Sequence, residues 1–341
     1  MSSILLTGAS GNLGAALLDQ LLTATPSTTK INAVLRSLAK TGAHLQSRYG
    51  SDISSGRLTL TEIPDMTVPG AFDASLRGVD AIIHAATPLP GSDLSPEAVE
   101  AIVGATYAIN DNMLSAAAKS GCVKRVIITG SIVSVLQLPD DMTSGKTYSD
   151  ADFNPITREQ APTSGASLYS YSKVSSEQRC WAWMEERKGE VGFDLVFLLA
   201  PSIMGRSLEA GFKPSKTLLG GVSGVYRELF DRETVGFMFP YFMDVDDVAA
   251  IHIKALDSSK VPGNERYLFF DGVVSSNEAA NKIREAYPQL RDRVPEGGEG
   301  KGLPPTLAQF DISKAEKVFG NQWKGWWKTV DASVKDILEY E

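Results

Sequence analysis

Short apolar runs recur through the first two hundred residues, at 4–7, 31–35, 58–62, 81–85, 125–129 and 194–199, each bounded by polar or glycine-rich positions. Runs of this length predict strands, and their near-continuous apolar character predicts burial on both faces. Between them the apolar positions recur at helical spacing and predict helices at roughly 12–23, 38–48, 96–120 and 167–189. Strand and helix in alternation predict an α/β fold, a Rossmann-type doubly wound parallel sheet. From about 136 to 166 the composition turns to Pro, Asp, Ser, Thr and Gly. A connection of this length inside a compact domain tends to be functional, so it is assigned to an active-site wall. Beyond Pro201 the alternation gives way to aromatic and glycine-rich stretches, GFKPSKTLLGGVSGVYRELF and GFMFPYFM, before a further strand and helix near 266–287. The expected division is a dinucleotide-binding domain of residues 1–200 with about 241–258, and a smaller C-terminal substrate lobe of about 201–240 and 259–341.

Composition narrows the class. With 43% hydrophobic residues in 341, the chain can bury a large core. A net charge of -8 without any basic run argues against nucleic acid and anionic membrane surfaces as partners. Cys122 and Cys180 make no CxxC motif and no disulfide framework, so a cytoplasmic location is expected. His44, His84 and His252 stand apart without acidic or thiol neighbours at ligand spacing, and no metal site is predicted. The N-terminus enters a strand-like run within three residues, which leaves no room for a signal peptide, and no stretch approaches a membrane-spanning length.

The candidate chemistry begins with ILLTGASGNLGAALLDQLL, which sets Gly8, Gly11 and Gly14 three apart between a strand and a helix. A dinucleotide pyrophosphate needs that arrangement: a tight turn, close backbone approach, and helix N–H groups aimed at negative charge. At the end of the second strand, INAVLRSLAK offers no carboxylate for a ribose 2'-hydroxyl but supplies Arg36, Ser37 and Lys40 for a 2'-phosphate. NADPH/NADP+ is therefore the expected cofactor; the alternative is that Arg36 and Lys40 are solvated helix-start residues. VKRVIITGSIVSV places Ser131 just past a strand, at the carboxyl edge of the sheet. Downstream, SLYSYSK holds Tyr169 and Lys173 four apart, on one helical face, whereas Tyr171 points roughly 200° away from Tyr169. Ser131, Tyr169 and Lys173 suit carbonyl reduction. Tyr169 would donate a proton to the developing alkoxide, Lys173 would lower the phenol's pKa, and Ser131 would hold the carbonyl oxygen.

With these motifs the sequence resembles the extended short-chain dehydrogenases/reductases, in the branch of plant dihydroflavonol reductases, cinnamoyl-CoA reductases and fungal or yeast aldehyde and ketone reductases. The resemblance runs nearly the whole chain. It includes VDAIIHAATP, TYSDADFNP with Phe153 where Trp is usual, LAPSIMG, FMDVDDVAAIHIKAL and FDISKAEKVFG. It implies a cofactor site of Thr7, Gly8, Ser10, Gly11, Asn12, Leu13, Gly14, Arg36, Lys40, Asp65, Met66, Ala85, Ala86, Thr87, Thr129, Tyr169, Lys173, Pro201, Ser202 and Ile203, the Asp65–Met66 pair holding the adenine. Three positions depart from the pattern. Gly130 replaces the middle serine of Thr-Ser-Ser, Leu136 stands where flavonoid reductases carry a polar residue, and Asp244 replaces a His. A flavonoid substrate is thus disfavoured. The substrate pocket is assigned to Val133, Leu136, Leu168, Phe212, Tyr226, Met238, Phe239 and Phe242, with ordinary lobe core as the alternative for each. The implied activity is NADPH-dependent reduction of an apolar aldehyde or ketone, a small-molecule carbonyl substrate, by a monomer or homodimer. A nucleotide-sugar epimerase or dehydratase and a non-catalytic NADP-sensing protein are the rival readings.

Overall fold

The computed structural model describes residues 1–218, 220–298 and 303–341; the expected lobe therefore includes five residues, 219 and 299–302, that lie outside it. In chain order the strands are β1 (Ser3–Thr7), β2 (Lys30–Leu35), β3 (Leu58–Glu62), β4 (Ala81–His84), β5 (Arg125–Ser131), β6 (Thr147–Ser149), β7 (Asp194–Ala200), β8 (Ser202–Met204), β9 (Tyr241–Asp244), β10 (Glu265–Leu268), β11 (Gly272–Val273) and β12 (Gln309–Asp311). The helices are α1 (Asn12–Ala24), α2 (Leu38–Ser54), α3 (Pro96–Ser120), α4 (Gly165–Glu186), α5 (Gly221–Leu229), α6 (Val245–Lys254), α7 (Ser276–Ala286), α8 (Ser313–Phe319) and α9 (Trp326–Tyr340).

Seven strands pair in the order β10-β7-β5-β4-β1-β2-β3, every neighbouring pair parallel. Successive strands run one way from β1 and the other way from β4, so the chain reverses between these two strands. An open sheet binds its ligands at the carboxyl ends flanking such a reversal. The strands are buried on both sides, as their unbroken apolar runs require: Leu17 and Leu21 of α1 and Ile251 of α6 share one core with Ile4 and Ile83. Met113 and Leu114 of α3 and Cys180 of α4 share the other with Leu5 and Ile82.

Local signals fix both ends of α3. Ser95 accepts from Ala98 N, Pro96 opens α3, and Gly121 closes it in the left-handed conformation at φ 64°. By contrast α2 runs six residues past its expected end, through a kink at Tyr49 (φ -124°, ψ 29°). Tyr49 holds the helix there because its ring is buried and its hydroxyl donates to Asp19 of α1 at 3.1 Å.

Two elements differ from expectation. β10, assigned to the substrate lobe, is the edge strand of the main sheet, paired in parallel with β7 from Glu265↔Val196 to Leu268↔Leu199. The connection expected to be irregular contains β6, which pairs with β12 far along the chain. Both depend on partners distant in sequence that local pattern does not reveal. The remaining lobe is built on α5, α7 and α9, whose Val225, Leu229, Ile283, Val334 and Ile337 form a separate core with Phe242 and Met238. Among the described residues no helix is long and apolar enough to cross a membrane.

Candidate active site

The turn between β1 and α1 is shaped by its glycines in different ways. Gly8 has φ +75°, and a Cβ there would lie 2.8 Å from Ala86 N at the end of β4. A Cβ on Gly14 would lie 1.8 Å from Gly8 O, whereas one on Gly11 meets only Gly8 O, at 3.6 Å. Gly8 and Gly14 are therefore required by packing, and Gly11 faces space. Gly11 is also the N-cap of α1 and provides no capping side chain, and the first turn carries no acidic residue, so its N–H groups are presented to an anion.

Hydrogen bonds knit this turn to β4: Ala86 N donates to Thr7 Oγ1 at 3.2 Å, and Thr7 Oγ1 lies 2.7 Å from His84 Nδ1. The structure thereby brings Thr7, Gly8, Ser10 to Leu13, Ala85 and Ala86 to one edge, with Thr87 following Ala86 into the loop. Arg36 and Lys40 are exposed at the start of α2, and neither is held by an ion pair among the described residues. Asp65 is exposed and accepts from Thr67 N and Thr67 Oγ1 at 2.8 and 2.6 Å, while Met66 is buried. Pro201 is buried, and Ser202 and Ile203 are half-buried in β8 beside β9.

Ser131 ends β5 and is buried. Ser164 caps α4 by accepting from Ser167 N at 3.0 Å, which starts the helix early enough to carry Tyr169 and Lys173 toward β5. The Ser131 hydroxyl acts to lower the Tyr169 pKa, but burial outweighs it and holds the phenol above the ordinary tyrosine range. Lys173 is buried and donates from Nζ to Thr129 O at 3.1 Å. Burial pushes its pKa down to about 8, opposed by the Glu177 carboxylate. Lys173 Nζ also sits 5.9 Å from the Tyr169 ring centre, and its bond to the Thr129 carbonyl uses one of its three N–H donors. Tyr171 lies against Val99, Val103 and Leu168, away from the site, as the helical geometry requires.

The glycine turn, the strand-end serine and the Tyr/Lys helix face thus share the carboxyl edge of one doubly wound sheet. Residues 4–268 match the model of the NAD dependent epimerase/dehydratase family, a span that ends with the last strand of that sheet. The chain belongs to the NAD dependent epimerase/dehydratase family. Within it, ketoreductase adrE of Penicillium rubens is 32% identical over 76% of this chain and 73% of its own. The NADPH-dependent methylglyoxal reductase GRE2 of Saccharomyces cerevisiae is 23% identical over 99% of both chains. The crystal structure of yeast methylglyoxal/isovaleraldehyde reductase Gre2 complexed with NADPH superposes with a TM-score of 0.87, at 22% identity over 99% of this chain and 98% of that one. These relatives accord with the resemblance to the reductase branch of extended short-chain dehydrogenases.

The residues assigned to the substrate wall do not form one surface in this member of the epimerase/dehydratase family. Leu136, Leu168 and Phe242 have no exposed surface and belong to three different apolar clusters. Met238 and Phe242 pack in the lobe core, Phe212 packs edge-on against Tyr340, and Tyr226 donates to Glu341 Oε1 at 2.7 Å. The lobe uses these side chains for its own core and for holding α9, the alternative left open for them. Val133 and half-buried Phe239 remain in the cluster that contains Tyr169, joined by Phe270 beyond β10, which sequence reasoning did not single out.

The departures from the family pattern acquire reasons. A Cβ at Gly130 would come 2.7 Å from Leu199 Cδ2, so glycine accommodates a leucine on the neighbouring strand. Asp244 caps α6 by accepting from Asp246 N at 2.9 Å and pairs with Lys324 at 2.7 Å. Two histidines that sequence spacing left without a role brace the site. His252 Nδ1 donates to Val248 O, which leaves Nε2 to accept from Thr129 Oγ1 at 2.8 Å. His84 joins Thr7 to a small cavity shared with Asn110, Thr106 and Lys173.

Proposed function

We propose that this protein is an NADPH-dependent carbonyl reductase that converts an apolar aldehyde or ketone to an alcohol, with Tyr169 as proton donor. The observation that carries this reading is the convergence of Ser131, Tyr169 and Lys173 beside the glycine turn. The names of the relatives support the reaction class. The residues present fit the cofactor: Gly11 leaves room for a pyrophosphate at the start of α1, where it would displace the Glu209 carboxylate from the Asn12 N–H, and Arg36 and Lys40 are free to pair with a 2'-phosphate.

When bound, the nicotinamide supplies the hydride. Ser131 donates a hydrogen bond to the substrate's carbonyl oxygen, and that bond strengthens as negative charge develops there. Tyr169 stays protonated near neutrality because burial raises its pKa, so the phenol enters the reaction carrying the proton it must give. The Lys173 ammonium then stabilises the phenolate left behind.

The test is NADPH and NADH consumption by the purified protein against aryl and aliphatic aldehydes, ketones and keto esters, with Tyr169→Phe and Arg36→Ala alongside. Turnover should prefer NADPH, fall by about 100-fold or more in Tyr169→Phe, and lose its cofactor preference in Arg36→Ala. Undiminished turnover in Tyr169→Phe, or none with any carbonyl despite bound NADPH, overturns the reading.

A further inference from the structure

One helical turn beyond Lys173, Glu177 is 1% exposed, and its carboxylate receives Arg266 Nε at 2.6 Å and Nη2 at 3.4 Å. Trp181 Nε1 donates to the same carboxylate at 3.4 Å. Arg266 comes from β10 and is itself 7% exposed. Its Nη1 donates to the carbonyl oxygens of Asp150 and Asp152, both at 2.7 Å, and its guanidinium lies 3.7 Å from the ring centre of Phe153. One cation therefore compensates a carboxylate beside Lys173 and fastens the long connection that leaves the active-site strand. A buried ion pair does little for stability compared with apolar residues of the same volume. Glu177 stands one helical turn from a buried ammonium, however, and its carboxylate opposes the effect of burial on that lysine.

We propose that Glu177 and Arg266 are positioning residues that together fix the charge of Lys173: the carboxylate favours the ammonium, and the guanidinium limits that pull while seating residues 150–153. The effect on turnover rests on the reductase reading, but the charge of Lys173 does not. Among the described residues, the other groups facing Lys173 are few. Tyr169 shares its helix, His84 approaches from β4, His252 stands behind Thr129 on α6, and Thr106 and Asn110 of α3 are uncharged. Both histidines are pushed down to about 4 by burial and are neutral where Lys173 titrates.

The two halves of the pair therefore act with opposite sign. Glu177→Gln removes the attraction and shifts Lys173 titration down by about one pH unit, roughly tenfold in proton affinity. Arg266→Met leaves the carboxylate unbalanced and shifts it up by a similar amount, and the double variant returns near wild type. Arg266→Lys retains the charge and leaves the titration in place while freeing the 150–153 segment to proteolysis. Titration is read by 13C NMR of protein labelled at lysine Cε, with the Lys173 signal assigned by its loss in Lys173→Arg and folding checked by thermal melts. The alkaline limb of kcat/KM should move in the same senses. Shifts of the two single variants in one direction, or no shift in either folded variant, overturn the proposal. If Arg266→Met does not fold, the Glu177→Gln shift decides alone: downward supports the proposal, and upward or absent overturns it. Opposite NMR shifts in a protein that reduces no carbonyl retain this inference and reject the reductase.

Discussion

The glycine turn permits a separation of structural from functional glycines by two single methyl groups. In Gly14→Ala the new methyl would stand 1.8 Å from Gly8 O and 2.5 Å from Gly8 C, both backbone atoms that cannot rotate away. Either α1 retreats or the Gly11 N→Gly8 O bond of 3.0 Å is lost. Overpacking of this kind costs about 3 kcal/mol, a lost hydrogen bond about 1, and the better helix propensity of alanine returns about 1. The net, about 3 kcal/mol, corresponds to a melting temperature roughly 4 °C lower for a chain of this size. In Gly11→Ala the nearest atom is at 3.6 Å, ordinary contact, and φ is -91°, which alanine adopts freely. Its folding penalty is confined to a poorer N-cap, about 0.5–1 kcal/mol or roughly 1 °C. The methyl does, however, occupy the side from which a pyrophosphate must approach. Loss of one charged hydrogen bond there, about 1.5–3 kcal/mol, weakens NADPH binding roughly 10- to 100-fold. Scanning fluorimetry without cofactor and titration of NADPH fluorescence measure the two quantities on the same preparations. Wild-type NADPH affinity in Gly11→Ala, or equal melting temperatures for the two variants, refutes the division of roles.

Two further predictions rest on buried or confined charge. Glu209 is half-buried and its carboxylate faces the Asn12 backbone N–H at the start of α1, steadied by Ser207 Oγ at 3.2 Å. An acid at a helix N-terminus is worth about 0.3–1 kcal/mol, and a pyrophosphate must displace it. Glu209→Gln should therefore tighten NADPH binding about two- to fivefold by calorimetry, and weakened binding contradicts the competition. His84 and His252, pushed down to about 4 from 6.5 in the folded protein, are protonated first in the unfolded chain. The unfolded state then binds more protons between these values, so stability is full above pH 6.5 and falls as pH drops toward 4, by up to about 3 kcal/mol per histidine. A urea midpoint that stays flat from pH 7 to 4.5 contradicts this.

The central sheet was legible because its determinants are local. Each of the six expected strands lies within two residues of an observed one, since a strand buried on both faces must be apolar throughout, and α3 carries its own start signals in Ser95 and Pro96 and its stop signal in Gly121. A strand at β10 was expected, but its place in the central sheet was not legible: ERYL carries Glu265 and Arg266, and only the distant Glu177 and the carbonyls of Asp150 and Asp152 make burial of that arginine tolerable. The same holds for β6, three residues that acquire order from β12.

At the site, the residues whose roles follow from backbone geometry were found: a glycine that must fit under a carbonyl, and two side chains one helical turn apart. What sequence could not supply was how the apolar and charged residues are shared among competing demands. Leu136, Leu168 and Phe242 read equally well as pocket or core, and the packing of α5, α7 and α9 claims Phe242 while α3 claims Leu168. The net direction of the Tyr169 shift was not legible for a related reason. A helix places Lys173 on the same face, but the orientation of its terminal ammonium depends on whether a free acceptor lies nearer than the phenol, and the Thr129 carbonyl on β5 is that acceptor. Burial then dominates both groups, raising the acid and lowering the base. The phenol therefore keeps its proton near neutrality, where Lys173 also remains largely an ammonium.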